Sequence, residues 1–261
     1  MFKKIIWDYY KNHKRNLIWR KNITPYHVLI SEIMLQQTQV SRVEEKFPAF
    51  ITAFPHFKKL ANTPLKDIYI EWQGMGYNRR ALYLKKIAEK IIKEHKGKLP
   101  QDPKTLETFT GIGHATAHSM VAFAYNQPVV FIETNIRRVL IHHFFKNKQN
   151  VHDSEIIPLV KKTLDVQNPR EWYYALMDYG SYLAKQVVNP NRKSIHYMKQ
   201  AQFKGSNRQI RGAILRLLSA KESVQQKDLI ELGSWHTIER NLRNLIKEGL
   251  VEDNKGKYSI S

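Results

Sequence analysis

The sequence predicts an all-α protein: a large helical domain followed by a small C-terminal domain of different pattern. Three observations lead there. Apolar residues recur at helical spacing through the first two hundred positions, with proline and glycine between the runs. Alternating strand patterns are almost missing before residue 250. A polar connector over 187–206 holds Asn189-Pro190-Asn191 and Gly205-Ser206, and beyond it the pattern changes.

The elements follow in order. Pro25 suits the first turn of a helix and opens a segment running to Leu35. Further helices are expected over 39–53, 56–62, 65–71, 77–95, 103–109, 114–125, 134–146, 153–164 and 170–186. After the connector come helices at 207–219, 225–232 and 235–248, then two short strands around a turn at Asn254–Gly256. Three helices and a hairpin in so short a stretch predict a winged-helix module over 206–261. In its third helix Ile238, Leu242, Leu245 and Ile246 form the core stripe, while His236, Arg240, Arg243 and Lys247 share another face. Arg240 and Arg243 are therefore candidate DNA contacts.

Composition narrows the function. The 261 residues include 43 Lys and Arg against 23 Asp and Glu, a net charge of +20, and 42% are hydrophobic. A globular chain with that field attracts a polyanion, and duplex DNA is the densest one. Cysteine is absent, which excludes disulfides, thiolate nucleophiles and cysteine-ligated zinc or iron–sulfur centres. No apolar run approaches the ~20 residues of a membrane helix. The start, Met1-Phe2-Lys3-Lys4, soon becomes charged and does not read as a signal peptide, so a cytoplasmic monomer is expected.

The sharpest motif runs from Leu106 to Ala117, with Gly111-Ile112-Gly113-His114 at its centre. Two glycines around one apolar residue, with a helix on each side, describe a helix–hairpin–helix. Its turn lets the backbone approach a phosphate, and the amides opening the second helix face that phosphate. Gly111, Gly113 and His114 are the candidate contacts. His114 and His118 also stand one helical turn apart, a metal-ligand spacing. With no third ligand evident they are read as surface or phosphate-facing residues, and no metal is assigned. Asp153, after His152, is read as a helix cap.

Further motifs complete a recognisable set: Trp19-Arg20, Pro25-Tyr26, the run Ser31-Glu32-Ile33-Met34-Leu35-Gln36-Gln37-Thr38-Gln39-Val40, Gly74-Met75-Gly76-Tyr77, Phe131-Ile132-Glu133-Thr134-Asn135, and Met177-Asp178-Tyr179-Gly180. In this order, over residues 16–183, they resemble the endonuclease III superfamily of DNA glycosylases, and within it the adenine-specific branch. The resemblance implies a two-lobed helix–hairpin–helix fold over 1–205. A six-helix barrel over 21–130 forms one lobe, and 1–20 with 131–205 forms the other.

The resemblance also implies roles. Glu32, in an apolar helical segment, is the proton donor to a flipped base, burial raising its pKa. Glu133, just before a helix, stays ionised and stabilises the cationic sugar, with Asn135 orienting it. The family normally carries aspartate at this position; a misplacement near 1 Å can cost on the order of a hundredfold in rate. Tyr77 is the intercalating wedge, Gln37 fills the vacated stack, Leu35 and Thr38 border it, and Arg20 lies against DNA. Ala115 stands where bifunctional members place lysine, so a Schiff base is not expected and a monofunctional hydrolase is.

Two features of the adenine-specific branch are missing. Four cysteines that would bind a four-iron cluster after Met177-Asp178-Tyr179-Gly180 have no counterpart over 182–194, and the winged-helix module stands where a Nudix-like domain is usual. The expected cofactor set is therefore empty, save that a monovalent cation at the hairpin is compatible with the resemblance. The partner is double-stranded DNA with a mismatch or lesion, and no membrane is involved. Adenine opposite guanine or 8-oxoguanine is the expected target. Alternatives are removal of thymine, uracil or a deaminated base from a mismatch, and a non-catalytic damage sensor.

Overall fold

The computed structural model describes residues 1–200 and 202–261. In chain order the helices are α1 (Phe2–His13), α2 (Pro25–Leu35), α3 (Val40–Ala53), α4 (Phe57–Asn62), α5 (Leu65–Trp72), α6 (Arg79–Glu94), α7 (Pro103–Glu107), α8 (His114–Tyr125), α9 (Thr134–Phe144), α10 (Asp153–Thr163), α11 (Pro169–Gln186), α12 (Asn207–Ala220), α13 (Gln226–Leu229) and α14 (Trp235–Lys247). Two strands close the chain, β1 (Val251–Asn254) and β2 (Lys257–Ile260). No helix of the described residues is long and apolar enough to cross a membrane.

The backbone divides into two compact units, Met1–Val28 with Pro100–Lys199 and Leu29–Leu99 with Gln200–Ser261. This differs from the division expected at 130/131 and 205/206. The hairpin segment groups with the residues of the second expected lobe, and the C-terminal module groups with 29–99. Composition marks where a connector lies; it does not show which apolar faces meet.

In the first unit α11 is the central element, packing against α1, α8 and α9. Pro169 occupies its first turn, where a missing N–H costs nothing. Its buried Trp172, Tyr173 and Tyr174 meet aromatic neighbours: Phe131 lies 4.2 Å from Tyr173, and Phe123 stacks on Tyr174 at 4.8 Å. These large rings leave little freedom in how α11 meets the start of α9.

The second unit is built on the apolar helix α2, whose Leu29, Ile30, Ile33 and Met34 are fully buried. Phe50 of α3 packs edge-on against Trp72 of α5 at 5.8 Å. In the same unit α12 packs against α5, α14 and β2, burying Ile214, Leu215 and Leu218. β1 and β2 pair antiparallel from Val251 opposite Ile260 to Asn254 opposite Lys257, and Val224 adds an isolated bridge to Tyr258. Lys255 and Gly256 turn the hairpin with φ of +55° and +81°. On α14 the inner face holds Ile238, Asn241, Leu242 and Leu245, while Ile246, expected in that stripe, is only half-buried.

Local chemistry moves several boundaries. α6 begins at Arg79 rather than 77 because Gly76 (φ +66°) and Tyr77 (φ +46°) are left-handed and cannot continue a right-handed helix. α10 is capped by His152, not Asp153. The His152 ring accepts from the Ser154 N–H, and the Glu155 carboxylate accepts from the His152 N–H. Asp153 instead takes a two-pronged ion pair from Arg137, at 2.8 and 2.6 Å.

Candidate active site and nucleic-acid interface

In the first unit the carboxylate of Glu133 caps α9. Its Oε1 accepts from the Asn135 N–H at 2.7 Å and the Ile136 N–H at 2.8 Å, and Oε2 accepts from Asn135 Nδ2 at 3.3 Å. Asn135 thus stands where it was expected, against the acid. Burial pushes the Glu133 carboxyl above the ordinary carboxylate range. The two N–H donors and the nearby Arg138 and Arg137 pull the other way without overcoming it. The helix end favours the ionised acid, as expected; burial, which the sequence does not display, works against it.

Arg138 anchors this corner. Its Nη1 donates to Asn135 Oδ1 at 2.6 Å and to the Gly180 carbonyl at 2.9 Å, and its Nε donates to Asn189 Oδ1 at 3.2 Å. Asn191 Nδ2 donates to the Thr134 carbonyl at 3.0 Å, and the Val151 N–H to the Lys193 carbonyl at 2.8 Å. The stretch where the family resemblance would place cluster ligands is thus tied to α9 by a guanidinium and an amide, and to the residue before α10's cap by backbone. Gly180 of α11 lies against Asn135, whose Cβ and carbonyl oxygen leave no room for a side chain there.

Arg20 is a correction. Expected against DNA, its side chain is 5% exposed and its two Nη atoms donate to Asp178, each at 3.0 Å. Arg15 adds its Nε at 2.7 Å and its N–H at 2.9 Å to the same fully buried carboxylate. The Arg20 guanidinium also lies 4.1 Å from the Tyr174 ring centroid. A buried acid recruits it, so Arg20 holds α11 in place instead of facing phosphate.

The hairpin lies in the same unit. Gly111, with φ of +82°, makes the turn that a side chain would strain. Gly113 differs: its φ of −92° suits any residue, and a Cβ there meets nothing within 4 Å. The space before the first turn of α8 is open, as a phosphate needs. His114 is exposed at that turn with Nδ1 2.9 Å from Glu107 Oε1, and His118 Nδ1 lies 3.6 Å from the same oxygen. The three side chains form a group able to hold a metal ion, which corrects the expectation that no third ligand stands nearby. Burial lowers the pKa of His118. Ala115, in the first turn of α8, offers no amine.

In the second unit Glu32 is half-buried on α2, between fully buried Leu29, Ile33 and Met34. Leu35 ends α2, and Gln37 and Thr38 follow in a turn where Gln37 adopts φ +55°. Tyr77 is also left-handed, at +46°. Two bulky residues in that region store strain, which clusters at functional sites. The strain is held by Arg80, a residue that sequence reading missed. It is 4% exposed, and its Nη1 donates to the carbonyls of Ile33, Met34 and Gln36, its Nη2 to those of Met75 and Gly76. Burial lowers its pKa to about 10, so it stays charged at neutral pH. One guanidinium thus ties the end of α2 to the loop that presents Tyr77. No periodicity or motif marks it; only the carbonyls gathered around it do.

Gln37, Thr38 and Tyr77 line one cleft of about 290 Å³, joined by Arg208 and Arg216 of α12. Arg208 Nη1 donates to the Tyr77 hydroxyl at 2.8 Å, its guanidinium lying 5.4 Å from the ring centroid, and Gln200 donates to the same hydroxyl. The C-terminal segment therefore fixes the candidate wedge, a link that no local pattern marks. Arg240 and Arg243 are exposed on α14, the first donating to Asn207 Oδ1 at 3.3 Å and the second to Glu239 Oε1 at 2.6 Å. Glu32 and Glu133 belong to different compact units.

Residues 30–161 match the family model for HhH-GPD superfamily base excision DNA repair proteins. An adenine DNA glycosylase of Mycolicibacterium smegmatis is 28% identical over 284 residues, covering 97% of this chain and 94% of that protein. Among solved structures, a thermostable thymine-DNA glycosylase superposes with a TM-score of 0.65 at 23% identity, over 74% of this chain and 91% of that one. Endonuclease III in a non-covalent complex with DNA superposes at 0.59 and 17% identity, over 69% and 83%. At those identities the two structures speak for a shared fold.

Proposed function

The chain belongs to the HhH-GPD superfamily of base excision DNA repair proteins, and from that premise we propose a monofunctional DNA N-glycosylase that flips a mispaired adenine and hydrolyses its glycosidic bond. The observation that carries the reading is Glu133 with Asn135 at the start of α9: a desolvated carboxyl held by two backbone N–H groups.

The chemistry divides between two acids. As the bond from C1′ to the base breaks, Glu32 delivers a proton to the departing purine, and its apolar surroundings on α2 support that role. Positive charge left on the sugar is met by Glu133 in its ionised form, which then accepts the proton of the water that adds to C1′. Asn135 and Arg138 keep the carboxylate aimed while this happens. Ala115 supplies no amine to attack C1′, so the product is an intact abasic site. Tyr77 and Gln37 offset part of the few kcal/mol that unstacking costs.

Adenine opposite guanine or 8-oxoguanine is the substrate proposed, on the strength of the adenine glycosylase relative. The module over 206–261 is proposed as winged-helix-like, with Arg240 and Arg243 meeting phosphates. A monovalent cation at the hairpin is compatible with this reading.

The test is a panel of mismatched and damaged duplexes, with alkaline cleavage to expose abasic products. Adenine release that vanishes in Glu32→Gln supports the reading, as does failure of borohydride to trap an enzyme–DNA adduct. Release of thymine or uracil instead moves the substrate and leaves the class. A second reading, a damage sensor without turnover, is favoured by the protonation that burial promotes on Glu133. Tight binding with no base released across the panel would establish it.

A further inference from the structure

The hairpin carries side chains that a grip on phosphate through its backbone amides does not use. Glu107 ends α7, His114 opens α8, and His118 follows one turn later. The turn between the helices, closed by the Ile112 N–H on the Phe109 carbonyl at 3.1 Å, brings the three together. A carboxylate there is out of place on electrostatic grounds. The start of a helix attracts anions, and Glu107 opposes any phosphate approaching it. Its Oε1 lies 2.9 Å from His114 Nδ1, and the two imidazole rings are 4.0 Å apart.

We propose that Glu107, His114 and His118 bind a divalent transition-metal ion of the zinc class, whose open coordination position takes a phosphate oxygen of the DNA backbone. Two imidazoles and a carboxylate make the N₂O donor set that borderline ions such as Zn²⁺ accept. A tetrahedral ion with bonds near 2.0–2.1 Å spaces its ligand atoms about 3.3 Å apart. Here one ligand atom from each residue lies within 4.8 Å of the others, and Glu107 and His114 are exposed, with room to move toward the less exposed His118. His118 Nδ1 donates to the His114 carbonyl at 2.9 Å, which fixes the tautomer and leaves the Nε2 lone pair for the ion. Three protein ligands leave a fourth position open. Occupied, the site changes from one negative charge to one positive charge, and the hairpin's opposing carboxylate becomes part of its phosphate grip.

The experiment uses the full chain, free of affinity tags and stripped with chelator, titrated with Co²⁺ and Zn²⁺. The expected result is one ion per chain at micromolar concentration, with the visible bands of tetrahedral cobalt. Glu107→Gln weakens binding at least about tenfold, the least that a disturbed ligand shell costs. His118→Asn abolishes it. His152→Asn, which disturbs the separate His152–His196 pair, leaves it intact. Stoichiometric binding that survives both hairpin variants, or no binding at micromolar metal, overturns the site. Unchanged circular dichroism and melting in Glu107→Gln show that loss of the ion is not loss of the fold.

A second arm rests on the DNA-binding reading: affinity for an undamaged duplex rises with Zn²⁺ over chelator in the wild type and not in Glu107→Gln. Equal affinities overturn the phosphate half of the proposal. A chain that binds one ion but no duplex supports the metal site and sinks the reading above it, so the two failures are distinct.

Discussion

A Cβ placed on Gly180 would lie 2.6 Å from the Cβ of Asn135 and 2.7 Å from its carbonyl oxygen. The glycine of Met177-Asp178-Tyr179-Gly180 is therefore there for contact: α11 crosses the first turn of α9 where only a hydrogen fits. Gly180→Ala is expected to destabilise the chain by about 1–3 kcal/mol, the cost of overpacking. Because the displaced residue supports Glu133, excision should fall further than the unfolded fraction accounts for. Melting and single-turnover rates on one preparation test this; an alanine variant with full turnover would contradict it.

Glu133 sets stability against function. Its folded carboxyl sits above the ordinary value of 4.5, so the native state keeps a proton that the unfolded chain has lost. Its contribution to folding is full below that ordinary value and is lost as pH rises through the raised one. Glu133→Gln keeps an oxygen to accept from the Asn135 and Ile136 N–H groups and carries no charge. At neutral pH the variant should melt no lower than wild type, with the difference shrinking toward acid, while excision drops at least about a hundredfold. A lower melting point at neutral pH would show that the ionised acid stabilises the fold.

Arg80→Lys tests the brace under Tyr77 and Gln37. Lysine has three donors on one atom and cannot span five carbonyls on two segments. A loss of about 1–3 kcal/mol is expected from the charge-assisted hydrogen bonds that these buried carbonyls lose. Fluorescence of 2-aminopurine at the flipped position should also weaken in complexes saturated with DNA. Loss of stability with flipping intact would confine Arg80 to packing.

Gly113→Ala separates contact from fold. The backbone there permits alanine and nothing stands within 4 Å of the new methyl, so melting should be unchanged. Duplex affinity should weaken on the order of tenfold, the worth of one hydrogen bond to a charged group. An unaltered binding isotherm would move the phosphate elsewhere.

Arg240→Ala with Arg243→Ala reads the C-terminal module. If both meet phosphates, the slope of log affinity against log salt falls by about two. Deleting residues 206–261 is a poorer test, since it would uncover the α5 surface that α12 packs against.

How far the sequence reached is visible in particular residues. Helices came through because they depend on local repetition: α2 was anticipated at Pro25–Leu35 and α8 at His114–Tyr125, as found. The pairing of Glu133 with Asn135 was legible because both lie in one turn. Arg20 was misread and Arg80 overlooked for one shared reason. The fate of an arginine is decided by acceptors far away in sequence, Asp178 for the first and the Ile33–Gln36 carbonyls for the second. Glu107 beside two histidines escaped for the same reason, a helix end and a helix start meeting across a turn. The hold of Arg208 on Tyr77 joins residues 131 positions apart, beyond any local pattern.

The left-handed backbone at Gln37 and Tyr77 bears on how this protein can be improved. Glycine at either position relieves a conformation that costs a side chain free energy, so a selection scored only by resistance to heat would drift toward glycine at both. The hardiest descendants would then lack the groups proposed to open the duplex. Laboratory evolution of this chain needs a mutation-rate readout alongside the heat step, or it will breed durable proteins that repair nothing.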